Sequence, residues 1–117
     1  MSPTERGRLA ESAAAAHLEA LGWVIVARNW RTRWCELDII GHTPAGIHFV
    51  EVKYRRQTTW GDGFAAITHD KAQRLTRAAL AWCQAHSYSG DYQIDAMSLS
   101  GELDQPTIEY LPNVIGW

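Results

Sequence analysis

The chain has 117 residues, enough for one domain, 1–117, with a buried core. Hydrophobic residues make up 46% and charged residues 21%, which excludes a disordered or fibrous chain. The formal charge of −2 does not advertise nucleic-acid binding, while the absence of an apolar run near the ~20 residues of a membrane span and an opening "MSPTERGRLAES" without an apolar signal region lead to the expectation of a cytoplasmic protein with no membrane partner.

In chain order, residues 4–21 read as a helix. Pro3-Thr4-Glu5 offers a start, Leu9, Ala13, Ala16 and Ala20 follow helical spacing, and Gly22 suits the C′ position. "WVIVA" (23–27) is a short β-branched run and predicts a strand, after which "RNWRTRW" reads as a turn or hairpin bend. "CELDIIG" (35–41) predicts the second strand, "HTPAG" a turn, and "IHFVEVKY" (47–54) the third strand. "RRQTTWGDGFAA" reads as a glycine-bearing loop. Thr68, with Asp70 in the first turn, opens a second helix to about His86, with Leu75, Ala79, Trp82 and Cys83 as its apolar stripe. "YQIDAMSL" and "TIEYL" are two late strands. The order α-β-β-β-α-β-β predicts an α/β or α+β domain around a mixed five-stranded sheet flanked by helices.

Alternation along the third strand puts Phe49, Glu51 and Lys53 on one face. On the second strand Glu36, Asp38 and Ile40 share a face. Asp38 and Glu51 lie thirteen positions apart, spaced to pair about a turn centred near residues 44 and 45. Two carboxylates held together repel unless protonated or bridged by a cation, and hard oxygen donors on a rigid scaffold suit Mg²⁺ or Mn²⁺. Lys53 would then stabilise charge on a phosphate or orient the attacking water. The plainer alternative is a cross-strand ion-pair cluster contributing ~0.2–1 kcal/mol.

Charge distribution adds a pointer. Residues 28–77 hold nine of the eleven Lys and Arg against five acids, a local charge of +4, while the remainder carries −6. A basic centre in an acidic chain suits a polyanionic partner, although an ordinary solvated face would look similar. Glu36 reads as a salt-bridge partner of Arg31 or Arg33 ahead of an outer-sphere ligand. Trp30, Trp34 and Trp60 either stack on bases or close the edge of a small core. The five histidines show no ligand spacing, though His42 and His48 flank the turn. Cys35 and Cys83 read as idle thiols.

The pattern of an aspartate, a turn and "ExK" between two helices resembles the PD-(D/E)xK nuclease superfamily, the restriction-endonuclease-like fold. Over nearly the full length, "GRLAE", "AAHLEALGW", "VARNWR", "CELDII", "FVEVKYR", "AITHDKAQRL", "YQIDAMSL" and "LPNVIGW" resemble the uncharacterised bacterial YraN family (UPF0102). The superfamily also contains archaeal Holliday-junction resolvases of this small size. The resemblance implies a Mg²⁺- or Mn²⁺-dependent endonuclease. Asp38 and Glu51 match the metal-binding acids, Lys53 the catalytic lysine, and Glu11 the helical glutamate that completes the metal site. Lys71 and Arg74 match basic positions that contact phosphate, with Arg31, Arg33, Arg55 and Arg56 flanking the site. Leu37 stands where the superfamily's name expects proline, and Cys35 and Ala10 replace two usual glycines. None of these removes a ligand. The implied partner is nucleic acid, DNA ahead of RNA and branched or structured DNA in particular. A homodimer is implied by analogy with the resolvases, a monomer being equally open. A nucleic-acid-binding protein of this fold without catalysis, and an interaction domain with a structural charge cluster, are the competing expectations.

Overall fold

The computed structural model describes residues 2–55 and 67–115. Arg56, Trp60 and most of the expected glycine-bearing loop lie outside those residues, as does the end of the closing motif.

Helix α1 spans Pro3–Ala20. Ser2 caps it by accepting the Glu5 N–H at 3.2 Å, and proline sits at the start of the first turn, where it has no backbone donor to lose. At the other end Gly22 takes φ +95°, its N–H reaches the Glu19 carbonyl at 2.9 Å, and the Trp23 N–H reaches that of Leu18 at 3.1 Å. This is a Schellman ending, in which glycine supplies the left-handed residue at low cost. The buried face differs from the expected stripe. Ala10, Ala14, Ala15 and Leu18 are buried, whereas Leu9, Ala16 and Ala20 face out. In a helix so rich in alanine the apolar positions do not single out one face. Leu18 and its packing partners decide.

Strand β1 spans Val24–Arg31, reaching four residues beyond the expected end. The polar run "RNWR" was expected to bend, yet it continues as an outer strand, with Trp30 opposite Leu37 and Arg31 opposite Glu36. An outer strand is paired along one edge and tolerates polar residues on its open side. The strand is irregular in two places: its register against β2 shifts between Ile25 and Ala27, and Asn29 takes a left-handed conformation, φ +54°.

Strands β2 (Glu36–Thr43) and β3 (Gly46–Arg55) form the expected antiparallel hairpin. Thr43 pairs with Gly46, so the turn residues are Pro44 and Ala45. Gly46 is required twice over: its φ is +124°, and a Cβ there would lie 2.3 Å from the Asp91 carbonyl oxygen.

Helix α2 spans His69–Ala85, capped by Thr68, whose hydroxyl accepts the Lys71 N–H at 3.1 Å. It is the crossover between β3 and its parallel neighbour β4 (Tyr92–Ser100), a connection no tight turn can make. Strand β5 (Thr107–Leu111) returns antiparallel to β4. The sheet order is β1-β2-β3-β4-β5, mixed and flanked by two helices, in the α-β-β-β-α-β-β sequence expected.

Alternation sends strand residues into two apolar layers. Ile40, Ile47, Phe49 and Ile94 meet Leu75, Ala78, Ala79, Trp82 and Cys83 of α2. Ile39, Val50, Met97 and Leu99 meet Ala14, Ala15 and Leu18 of α1. The α1 layer also holds a fully buried carboxylate, Asp95. It accepts from His48 Nδ1 at 2.8 Å, Gln93 Nε2 at 2.7 Å and the Asn113 N–H at 2.8 Å, and from the Tyr110 hydroxyl. Burial alone pushes the Asp95 carboxyl up, but these donors together hold it below its ordinary range. His48 Nε2 lies 2.8 Å from Thr43 Oγ1, so this histidine anchors the hairpin base. His42 is exposed. Cys35 and Cys83 are unbonded thiols.

Candidate functional site

The hairpin register puts Asp38 next in line opposite Glu51, one step past the Ile39–Val50 pair. There the ladder gives way. Asp38 Oδ2 accepts the Val52 N–H at 2.8 Å, substituting a side-chain carboxylate for a strand carbonyl. β2 and β3 part at this point, and the carboxylate occupies the split.

Helix α1 contributes from one side. Glu11 shares its buried face with Ala14, Ala15 and Leu18, at helical steps of three, four and seven. Glu11, Glu36 and Asp38 each offer a carboxylate oxygen within 4.8 Å of the others. Strand β3 and helix α2 contribute from the other side. Glu51, 5% exposed, has Lys53 Nζ at 3.9 Å and Lys71 Nζ at 3.7 Å, too far for direct hydrogen bonds. Glu11 Oε1 and Glu51 Oε2 are buried without a hydrogen-bond partner among the described residues.

Crowded acids alter one another's chemistry. The Asp38 carboxyl is pushed up to about 8, first by burial and next by the Glu51 charge, with the Val52 N–H pulling the other way. Glu11 is raised by burial and by the Glu36 charge, against the Asn29 side chain and Arg28. Burial also raises the Cys35 thiol. Without compensation this cluster resists full ionisation. It can hold a proton or a divalent cation.

The structure thus brings together all four acid and lysine positions expected, Glu11, Asp38, Glu51 and Lys53. The trio with the closest oxygens contains Glu36 in place of Glu51. Glu36 also makes the expected ion pair, Arg31 to Glu36 at 3.1 Å. Lys71 points to Glu51, and Arg74 is paired with Asp70 one turn on. Arg33 lies over the Trp34 ring, 4.9 Å from its centre, and Arg55 is exposed at the end of β3. Trp30 packs at the core edge with its ring 6.0 Å from His86, which favours the core-closing role for that residue. Arg77 received no role from the sequence. The signal that could have found it is the three-residue step Lys71, Arg74, Arg77 along α2.

A helix-flanked mixed sheet whose central hairpin opens around a carboxylate cluster defines a small α+β protein with a preformed acidic site. Residues 10–99 match the family described as Uncharacterised protein family UPF0102. A UPF0102 protein of Leifsonia xyli subsp. xyli is 42% identical over 113 residues, covering 95% of this chain and 96% of the relative. Those of Myxococcus xanthus and Herpetosiphon aurantiacus are 36% and 37% identical, covering 95% and 89% of this chain and 91% and 88% of their own lengths. The chain belongs to the UPF0102 family.

Proposed function

We propose that this protein is a divalent-metal-dependent nuclease of the PD-(D/E)xK type that hydrolyses phosphodiester bonds in DNA, structured or branched DNA included. The observation that carries the reading is the cluster itself: Asp38, with a raised pKa, stands between acids whose buried oxygens Glu11 Oε1 and Glu51 Oε2 have no hydrogen-bond partner among the described residues. A merely structural salt-bridge cluster would satisfy those oxygens. The donor set fits Mg²⁺ or Mn²⁺, being all carboxylate. Glu11, Glu36 and Asp38 would hold the ion, with Glu51 beside them. When bound, such an ion supplies Lewis acidity toward a phosphate oxygen and a water of lowered pKa.

The chain's own residues supply the rest. Lys53, half-buried beside Glu51, carries its ammonium to the rim of the cluster, where it donates to a phosphate oxygen as negative charge builds or holds the attacking water in line. Lys71, from α2, offsets the Glu51 charge and keeps that carboxylate in place. Asp38 is fixed by the Val52 N–H, so the ligand set is held before substrate arrives.

The test is cleavage of duplex, single-stranded and four-way-junction DNA with Mg²⁺ or Mn²⁺, the native chain beside Lys53→Ala. Expected is metal-dependent cleavage that falls by about 10²-fold or more in the variant, the scale of losing one charge-stabilising donor. Cleavage untouched by Lys53→Ala overturns the assignment. Binding without cleavage in either protein would point to a nucleic-acid-binding protein that keeps the fold alone.

A further inference from the structure

We propose that the cleft between the β1–β2 turn and helix α2 seats one unpaired nucleotide of the substrate, its base against Trp34 and its phosphate against Arg33 and Arg77. The inference rests on the nuclease reading above and deepens it: the site takes nucleic acid with single-stranded character a few nucleotides from the bond that is cut.

The cleft has a volume of about 350 Å³ and is lined by Arg33, Trp34, Asp70, Gln73, Arg74 and Arg77. That is at the small end of the ~300–1,000 Å³ range of ligand pockets, room for a nucleotide and too little for a duplex. Three guanidiniums meet one carboxylate there, and Asp70 is already taken by Arg74. Among the described residues Arg77 enters no ion pair and is exposed. The cleft is therefore a net cationic pocket with polar Gln73 on its wall, the composition that receives a phosphate.

Trp34 stands apart from the other described tryptophans. Trp23 packs on His48 and Tyr110, Trp30 on His86, and Trp82 on Phe49, His86 and Tyr88. Trp34 has no aromatic neighbour among the described residues, only the Arg33 guanidinium over its ring. The turn that presents it is tied down. Thr32 Oγ1 accepts the Trp34 and Cys35 N–H groups at 3.1 Å each and donates to the Cys35 carbonyl at 2.7 Å. An indole held at a rigid turn beside guanidinium groups is a stacking platform for a base, and an intact duplex keeps its base faces covered.

The cleft also lies within a short reach of the acid cluster. Trp34 precedes Asp38 by four residues, a reach of at most about 13 Å along an extended strand. On α2, Lys71 stands at Glu51 and Arg77 at the cleft, six residues or about 9 Å along the axis. At about 3.4 Å per stacked nucleotide, the seated nucleotide lies roughly three positions from the phosphate at the acids.

The experiment measures binding of a labelled 15-nucleotide single-stranded DNA (about fifteen being chosen to span the site) and of its blunt duplex. The full chain is used in EDTA, with fluorescence anisotropy as readout. Expected is at least about tenfold tighter binding of the single strand. Trp34→Ala should lose about tenfold on the single strand and little on the duplex, Trp34→Phe should recover most of that loss, and Arg77→Ala should lower the salt slope by about one. Single-strand binding unchanged in Trp34→Ala, or equal losses on both probes, overturns the proposal. If Trp34→Ala does not melt cooperatively near the wild-type temperature, Trp34→Phe and Arg77→Ala carry the decision. Metal-dependent, Lys53-dependent cleavage without any Trp34 effect on binding sinks this inference and leaves the nuclease reading. Trp34-dependent binding without cleavage does the reverse.

Discussion

Replacing Asp38 by asparagine should stabilise the metal-free protein, by an amount that grows with pH. The substitution keeps an oxygen to accept the Val52 N–H, which Asp38 Oδ2 receives at 2.8 Å, and removes only the charge. The Asp38 carboxyl ordinarily titrates at 3.8 and is pushed up to about 8 by burial and then by Glu51. As pH rises from 3.8, the unfolded acid ionises while the folded one keeps its proton, so folding stability drains until pH passes about 8. At ~1.4 kcal/mol per unit the ceiling is on the order of 5 kcal/mol. The effective dielectric of a half-open site cuts this to about 2–3 kcal/mol. For a chain of this size that is a rise in Tm of roughly 10 °C at pH 9 for Asp38→Asn over wild type, shrinking to a few degrees at pH 5. Thermal melts in EDTA at the two pH values measure it. Added Mg²⁺ should raise the wild-type Tm and leave the variant's unchanged, since ligand stabilises only the protein that binds it. A variant less stable than wild type at pH 9, or a gain that does not grow with pH, would refute the account of Asp38 as an uncompensated carboxylate.

Three further substitutions test the scaffold. Gly46→Ala should cost about 2–4 kcal/mol in urea unfolding, because φ +124° and a Cβ 2.3 Å from the Asp91 carbonyl both oppose it. Gly7→Ala, inside α1 with open space around it, should instead gain about 0.5–1 kcal/mol, and the two together separate backbone conformation from mere loss of glycine. Asp95→Ala should cost about 3–5 kcal/mol, since it strands His48, Gln93, Tyr110 and the Asn113 N–H. Because the Asp95 pKa is lowered on folding, its contribution is present above the ordinary 3.8 and is lost as pH falls from there through the depressed folded value. Wild type should therefore lose its advantage over Asp95→Ala in acid melts, and an advantage independent of pH would contradict the network's role.

The hairpin was legible because its geometry is arithmetic. A period of two and a short turn set Asp38 against Glu51, and the observed register runs as far as the neighbouring Ile39–Val50 pair before the ladder breaks. The α2 stripe was legible too: Leu75, Ala79, Trp82 and Cys83 are large or isolated enough to mark one face, and all four are buried. Helix α1 was not, since alanines on every side leave its buried face to tertiary packing. The extension of β1 was hidden for another reason. Outer-strand pairing of "RNWR" depends on Leu37 and Glu36 opposite, and on Asn29 accepting a left-handed backbone.

The same distinction separates what was legible in the site from what was not. Glu51 and Lys53 announce themselves as charges in an apolar strand, and the hairpin supplies Asp38. Glu36 looked like half of a surface ion pair, which it is, and no local pattern shows that Glu11 and Asp38 converge on it. That convergence follows from the break in the ladder. Had Asp38 paired regularly with Glu51, its carboxylate would have stayed on the face of Lys71 and Phe49. By taking the Val52 N–H it stands between the strands, within reach of Glu11 and Glu36 from the α1 side and under the charge of Glu51 from the α2 side. The split is what joins two half-sites on opposite layers into one.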